Sequence, residues 1–167
     1  MQFTVGFLKA NSGKKGEGMP VVRNPQFYFK EGFCWTLING TRSENDLKFR
    51  LSTAGVYDVG GMSLHSVMEN IISQKFIVCI CNSNLISRYT ESFVNFTVNF
   101  QINDARQIPI IVPTKEELMK FEALFDSAAR IKKEQFSNQI SINGAENRLF
   151  AIQNKLDNMV YELYGII

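Results

Sequence analysis

One histidine and three cysteines in 167 residues leave this chain with little of what a metal site needs. A zinc site wants paired C-x-x-C groups or histidines, and neither occurs around His65, Cys34, Cys79 or Cys81. Cys79 and Cys81 lie in the apolar run Phe76-Ile77-Val78-Cys79-Ile80-Cys81 and read as buried free thiols. Reduced cysteines are characteristic of the cytosol. The sequence has no apolar run near the ~20 residues of a membrane span, and Met1 is not followed by a signal-peptide pattern. A soluble cytoplasmic protein is expected. A strong charge of one sign is also missing: the net charge of +2 neither requires nor excludes a polyanion.

Two apparent catalytic motifs fail on spacing or context. Gly13-Lys14-Lys15-Gly16-Glu17-Gly18 lacks the Gly-x4-Gly-Lys-Ser/Thr arrangement of a phosphate loop. Lys14 and Lys15 fit better as loop cations for a nucleic-acid phosphate, or as ordinary solvated residues. Asp46-Leu47-Lys48 has the D-x-K form of metal-dependent nucleases, with Glu31 as a conceivable second acid. It lies in a polar loop without the carboxylate cluster that Mg²⁺ needs, so nuclease activity is a distant alternative.

Fourteen phenylalanines and a 45% hydrophobic content supply a core without disulfides. Charge is unevenly placed. Residues 1–50 hold eight Lys/Arg against four acids, whereas residues 113–167 hold seven against eight. A basic head and a near-neutral tail fit a head that meets polyanion and a tail that meets protein, with ordinary surface variation as the rival.

The periodicities predict an α+β fold: a small mixed-sheet domain over 1–112 and a helical hairpin over 113–167. Strands are expected at Gln2–Ala10, Phe33–Ile38, Phe49–Val59 (a pair around Gly55), Phe96–Ile102 and Ile108–Val112. Asn11–Met19 and Arg42–Lys48 read as loops, and Asn39-Gly40 as a turn. Leu64, Val67, Met68, Ile71 and Ile72 have helical spacing, predicting a helix over Ser63–Gln74. Asn84–Phe93 also reads as helical, and Phe76–Cys81 fits either strand or helix. Thr114 is an N-cap with Glu116 and Glu117 in the first turn. Leu118, Phe121 and Phe125, then Leu149, Ile152, Leu156, Met159 and Leu163, form two apolar seams. Ser141–Ala145, with the turn Asn143-Gly144, is the expected break between them. Gly165 follows the second helix as its C′ residue.

Arg and Lys can bond guanine bidentately, and Asn or Gln adenine. On that basis Arg23, Asn39, Arg42, Asn45, Lys48 and Arg50 join Lys14 and Lys15 as DNA-binding candidates; an Arg50–Asp58 ion pair is the structural alternative. Asn99, Gln101 and Asp104 read as satisfying turn backbone groups. His65 reads as a surface or capping residue, and Trp35 as core.

Six segments, taken in order, resemble a known family. They are Phe29-Lys30-Glu31-Gly32-Phe33-Cys34-Trp35-Thr36; Phe49-Arg50 through Tyr57-Asp58-Val59-Gly60-Gly61-Met62-Ser63; Ile80-Cys81-Asn82-Ser83-Asn84-Leu85-Ile86; Thr97-Val98-Asn99-Phe100-Gln101-Ile102-Asn103-Asp104; Ile108-Pro109-Ile110 with Val112-Pro113; and Leu156-Asp157-Asn158-Met159-Val160-Tyr161-Glu162-Leu163-Tyr164-Gly165-Ile166. Together they resemble the C-terminal target-recognition domains of type IIG and BREX-type adenine-specific DNA methyltransferases, which are related to type I restriction specificity subunits. The resemblance implies a reader of duplex DNA followed by a helical spacer, working with an adenine methyltransferase domain or subunit. An N-P-P-Y/F segment and an S-adenosylmethionine loop are not found here. It therefore implies no catalytic residues and no cofactor in this chain, S-adenosylmethionine being held by a separate catalytic domain. Docking or self-association through the hairpin is the alternative role. The segment Phe93–Pro113 then reads as the hinge between reader and spacer, with base reading assigned to the loops at 11–24 and 39–50.

Overall fold

The computed structural model describes residues 25–36, 48–56, 61–95, 97 and 99–166. The expected strand at Gln2–Ala10, the loop Asn11–Met19, the turn Asn39-Gly40 and most of Arg42–Lys48 lie outside these residues, as do residues 57–60.

Among the described residues, three short strands form an antiparallel sheet in the order β2-β1-β3: β1 Gly32–Thr36, β2 Phe49–Ser52 and β3 Gly61–Leu64. Register explains the choice. Trp35 faces Phe49 on one side and Met62 on the other, while Phe33 faces Leu51 and Leu64. Directly opposed residues share a face, so one face of the sheet is wholly apolar. The opposite face carries Cys34, Arg50, Ser52 and Ser63, with the two serine hydroxyls 3.3 Å apart. Trp35 is fully buried, as expected, and its indole N–H donates to the Phe100 carbonyl at 2.9 Å. Phe100 meets both Trp35 and Phe49 edge-on, an arrangement the ring quadrupoles favour.

The helix expected over Ser63–Gln74 does not form. Gly61–Leu64 pairs with β1 instead, and Val67, at the centre of the supposed apolar face, is 96% exposed. The hydroxyl of Ser66 accepts the Met68 N–H and donates to the Ile72 carbonyl, so local turn bonds take the groups a helix would use. Helix begins only at Gln74, where the Ser73 side chain accepts the Phe76 N–H. This helix, α1 (Gln74–Cys81), settles the ambiguous apolar run: five of its eight residues are buried, so almost no polar face is left to display a period. The next, α2 (Asn84–Tyr89), continues into a π turn at Thr90–Val94, matching the expected helix.

Neither late strand is seen among the described residues, where Asn99 makes only an isolated bridge and Phe96 and Val98 lie outside them. Ile102–Ala105 is a one-turn helix, α3, and Ile108–Val112 is irregular. The Asp104 carboxylate accepts the Gln101 N–H at 2.7 Å and the Asn95 amide at 2.8 Å. That start signal overrides the apolar alternation. Asp104 thus takes the structural role expected of it.

The hairpin is built as expected. Helix α4 (Lys115–Phe136) opens with a reciprocal capping box between Thr114 and Glu117, and α5 (Ile142–Leu163) starts at Ser141. One detail differs. Asn143 and Gly144 lie in the first turn of α5, because Ser141 accepts the Gly144 N–H; Asn138 takes the left-handed conformation in the real turn, at φ 58°. Gly165 ends the hairpin at φ 66°.

The hairpin shares one core with the sheet. Phe121 of α4 packs edge-on against Phe76 of α1 with ring centres 5.1 Å apart, and Leu156 and Val160 of α5 belong to the same cluster. A polar chain runs across this joint. The buried Asp157 carboxylate accepts the Asn84 N–H at 2.7 Å and the Gln153 amide at 3.1 Å. Gln153 also donates to the Asn82 carbonyl at 3.1 Å. The Asn82 side-chain amide in turn accepts the Phe49 N–H at 2.9 Å and donates to the Phe49 carbonyl at 2.8 Å. Asn82 thereby pairs the backbone of Phe49 on the outer side of β2, where it would otherwise be open. Replacing Asn82 by Ala should cost about 1–3 kcal/mol, since both Phe49 groups are left unpaired. Urea unfolding measures this, and an unchanged midpoint would contradict the joint.

Candidate nucleic-acid interface

Of the eight residues expected to touch DNA, Lys14, Lys15, Arg23, Asn39, Arg42 and Asn45 lie outside the described residues. Asp46 of the D-x-K tripeptide and Asp58, the alternative ion-pair partner of Arg50, lie there too. Lys48 and Arg50 are placed together, at the start of β2. Both are exposed. The Arg50 guanidinium has no hydrogen-bond or ion-pair partner among the described residues, so it is available to an incoming acceptor. Its cross-strand neighbours fix the strand beneath it: Cys34 opposite, and Phe49 held by both Trp35 and Asn82.

A second cationic feature depends on contacts between distant residues. Lys30 lies over the ring of Phe27 at 5.6 Å, and Phe27 stacks on His65 with ring centres 5.5 Å apart and planes within 9°. The His65 Nδ1–H donates to the Glu31 carbonyl at 2.7 Å, which fixes the imidazole plane. Gly32 is required beneath it, because a Cβ there would come within 2.7 Å of the ring. Phe29, half exposed, adopts φ 59°, unusual for a bulky residue; its N–H donates to the Gly55 carbonyl at 2.9 Å. Contiguous aromatic and basic residues are visible in Phe27-Tyr28-Phe29-Lys30, but the pairing of Phe27 with His65 depends on β1–β3 register and has no local signal.

The thiols are set apart from any reactive role. Burial, with Asp126 and Glu122 nearby, pushes Cys79 up to about 12, and burial beside Cys79 raises Cys81 further. Thiolate is the reactive form, so both sulfurs are held inert. Among the described residues no group of three or more His, Cys, Asp or Glu could hold a metal ion. No described helix is long and apolar enough to cross a membrane.

No family model matches the chain. Over 91 residues it is 31% identical to the adenine-specific methyltransferase BrxX of Escherichia coli O9:H4 (strain HS). The matched stretch is 54% of this chain and 7% of that protein. The chain is thus related to an adenine methyltransferase over about half its length, and it spans only a small part of that relative.

The thiols also carry a pH dependence. Unfolded, they lose protons near 9.0; folded, they keep them to about 12 or beyond. The native state therefore binds more protons above pH 9, and stability should be intact below that and fall as pH rises through the window. Thermal melts from pH 7 to 10.5 should show this decline, which a Cys79→Ala/Cys81→Ala variant should largely lose. A decline of equal size in that variant would rule out the thiols as its cause.

Proposed function

We propose that this chain is a DNA sequence-recognition unit serving an adenine methyltransferase. The observation that carries the reading is the BrxX similarity, 31% identity over 91 residues with 7% of an adenine-specific methyltransferase. Adenine and S-adenosylmethionine are assigned to the remainder of such an enzyme, in the same or another chain. The reading is supported by the exposed Lys48 and Arg50 at the sheet end and by the +4 balance of residues 1–50. Duplex DNA offers a distinct donor and acceptor pattern for each base pair in its major groove, and arginine is the commonest side chain to read it.

A docking role is the second reading. It is favoured by the hairpin tip, where Phe136, Ile142 and Phe150 are 82%, 63% and 69% exposed. The two are not exclusive, since a reader must attach to its enzyme. Light scattering separates them: a strict monomer that does not bind methyltransferase argues against docking.

Gel-shift titration of mixed-sequence and cognate-enriched duplexes at two salt concentrations tests recognition. Lys14→Ala/Lys15→Ala should weaken binding on all duplexes and reduce the salt slope by about 0.9 for each phosphate no longer neutralised. Arg50→Ala should cost about 1–3 kcal/mol on the preferred duplex and less on others. No duplex binding, even with the methyltransferase present, would sink the proposal.

A further inference from the structure

A groove of about 440 Å³ runs between β2 and the helices α1, α4 and α5, open to solvent on one side. Its walls are apolar, with Phe125, Ala128 and Ala129 on α4, and Leu149 and Ile152 on α5. The volume lies within the range of ligand and peptide sites. Its floor is unusual. Three successive residues of β2, Phe49, Arg50 and Leu51, line it together with Asn82. Since side chains alternate between faces, successive residues can share a groove only if it follows the strand edge.

Hydrogen-bond parity then identifies open groups. Phe49 spends its N–H and C=O on Asn82, on the side away from β1. In an antiparallel pair, residues two apart point their backbone groups the same way. Leu51 therefore also directs its N–H and C=O away from β1, into the groove, and they have no partner among the described residues. Asn82 blocks the strand edge at Phe49 and stops there.

Charge narrows the occupant. Among the described residues, Arg50 and Lys132 are the only charged side chains along the groove, and no carboxylate lines it. We propose that this groove binds an extended, acidic-apolar segment of a partner protein, which pairs with Leu51 as an added strand. Alternate apolar side chains of that segment lie against Ala128, Ala129 and Ile152, and its carboxylates meet Lys132, with Arg50 joining where no duplex engages it. Such strand addition draws affinity from main-chain bonds and specificity from side-chain pockets. The proposal goes beyond DNA recognition and does not depend on it.

Selection of a display library of short random peptides on the full chain tests this. Enriched peptides should combine alternating apolar residues with Asp or Glu. Ala129→Trp, which fills the groove, should abolish their binding, and Lys132→Glu should weaken it by about tenfold, with circular dichroism confirming that both variants fold. Peptide binding should protect the Leu51 amide from hydrogen exchange, and N-methylating the pairing residue of the peptide should weaken binding by about tenfold. No enrichment, enrichment without acidic residues, or binding that leaves Leu51 exchange unchanged would overturn the proposal. Duplex binding measured on Ala129→Trp separates the two readings: retained DNA binding with abolished peptide binding supports both, and abolished DNA binding in a folded variant makes the groove part of the DNA site and overturns the peptide assignment.

Discussion

The arrangement of this chain depends on a buried carboxylate. Asp157 on α5 holds the N-terminus of α2, where the backbone N–H groups favour a negative charge, and through Gln153 and Asn82 it reaches the edge strand that carries Arg50. A buried carboxylate without partners would be costly. Here its oxygens are met by a backbone N–H and a side-chain amide, and the bonds cross between the hairpin and the sheet side of the core. Removing the hairpin would leave open the N-terminus of α2 and weaken the hold on Asn82. The hairpin therefore helps to position the sheet as well as extending from it.

Joints of this kind also connect the six sequence segments that suggested a family resemblance. Trp35 of the first segment donates to Phe100 of the fourth. Phe49 of the second is paired by Asn82 of the third. Asn84 of the third is capped by Asp157 of the sixth, and the Tyr164 hydroxyl of the sixth donates to the Pro109 carbonyl of the fifth. The resembling residues tie one element to another. They belong to a scaffold, while the residues proposed to contact DNA lie mostly outside them, before the first segment or between the first and the second.

Legibility in the sequence followed from how local each signal is. The hairpin was readable because caps and seams are short-range: Thr114 with Glu117, and Leu156 with the buried positions around it. Strand β1 was readable from Phe33-Cys34-Trp35. Strand β3 was not, since Ser63–Gln74 has helical spacing and only pairing with β1 decides against it. Ile102 was misread for a different reason: it ends an apolar alternation, but Asp104 supplies a local helix start that outweighs it. At the interface, Lys48 and Arg50 came from residue type alone, whereas the Lys30–Phe27–His65 stack and the groove along β2 arise from register and helix placement, which no window of sequence contains.

Presentation of a duplex-DNA reader to an adenine methyltransferase is tested most directly by selection from a pool of randomised duplexes. The chain would be incubated with the pool, alone and with the proposed partner methyltransferase, and the bound fraction sequenced. One short shared sequence is expected, and it should disappear when Arg50 is changed to Ala in a variant that still folds. A bound pool with the same sequence distribution as the starting pool would contradict a reading role.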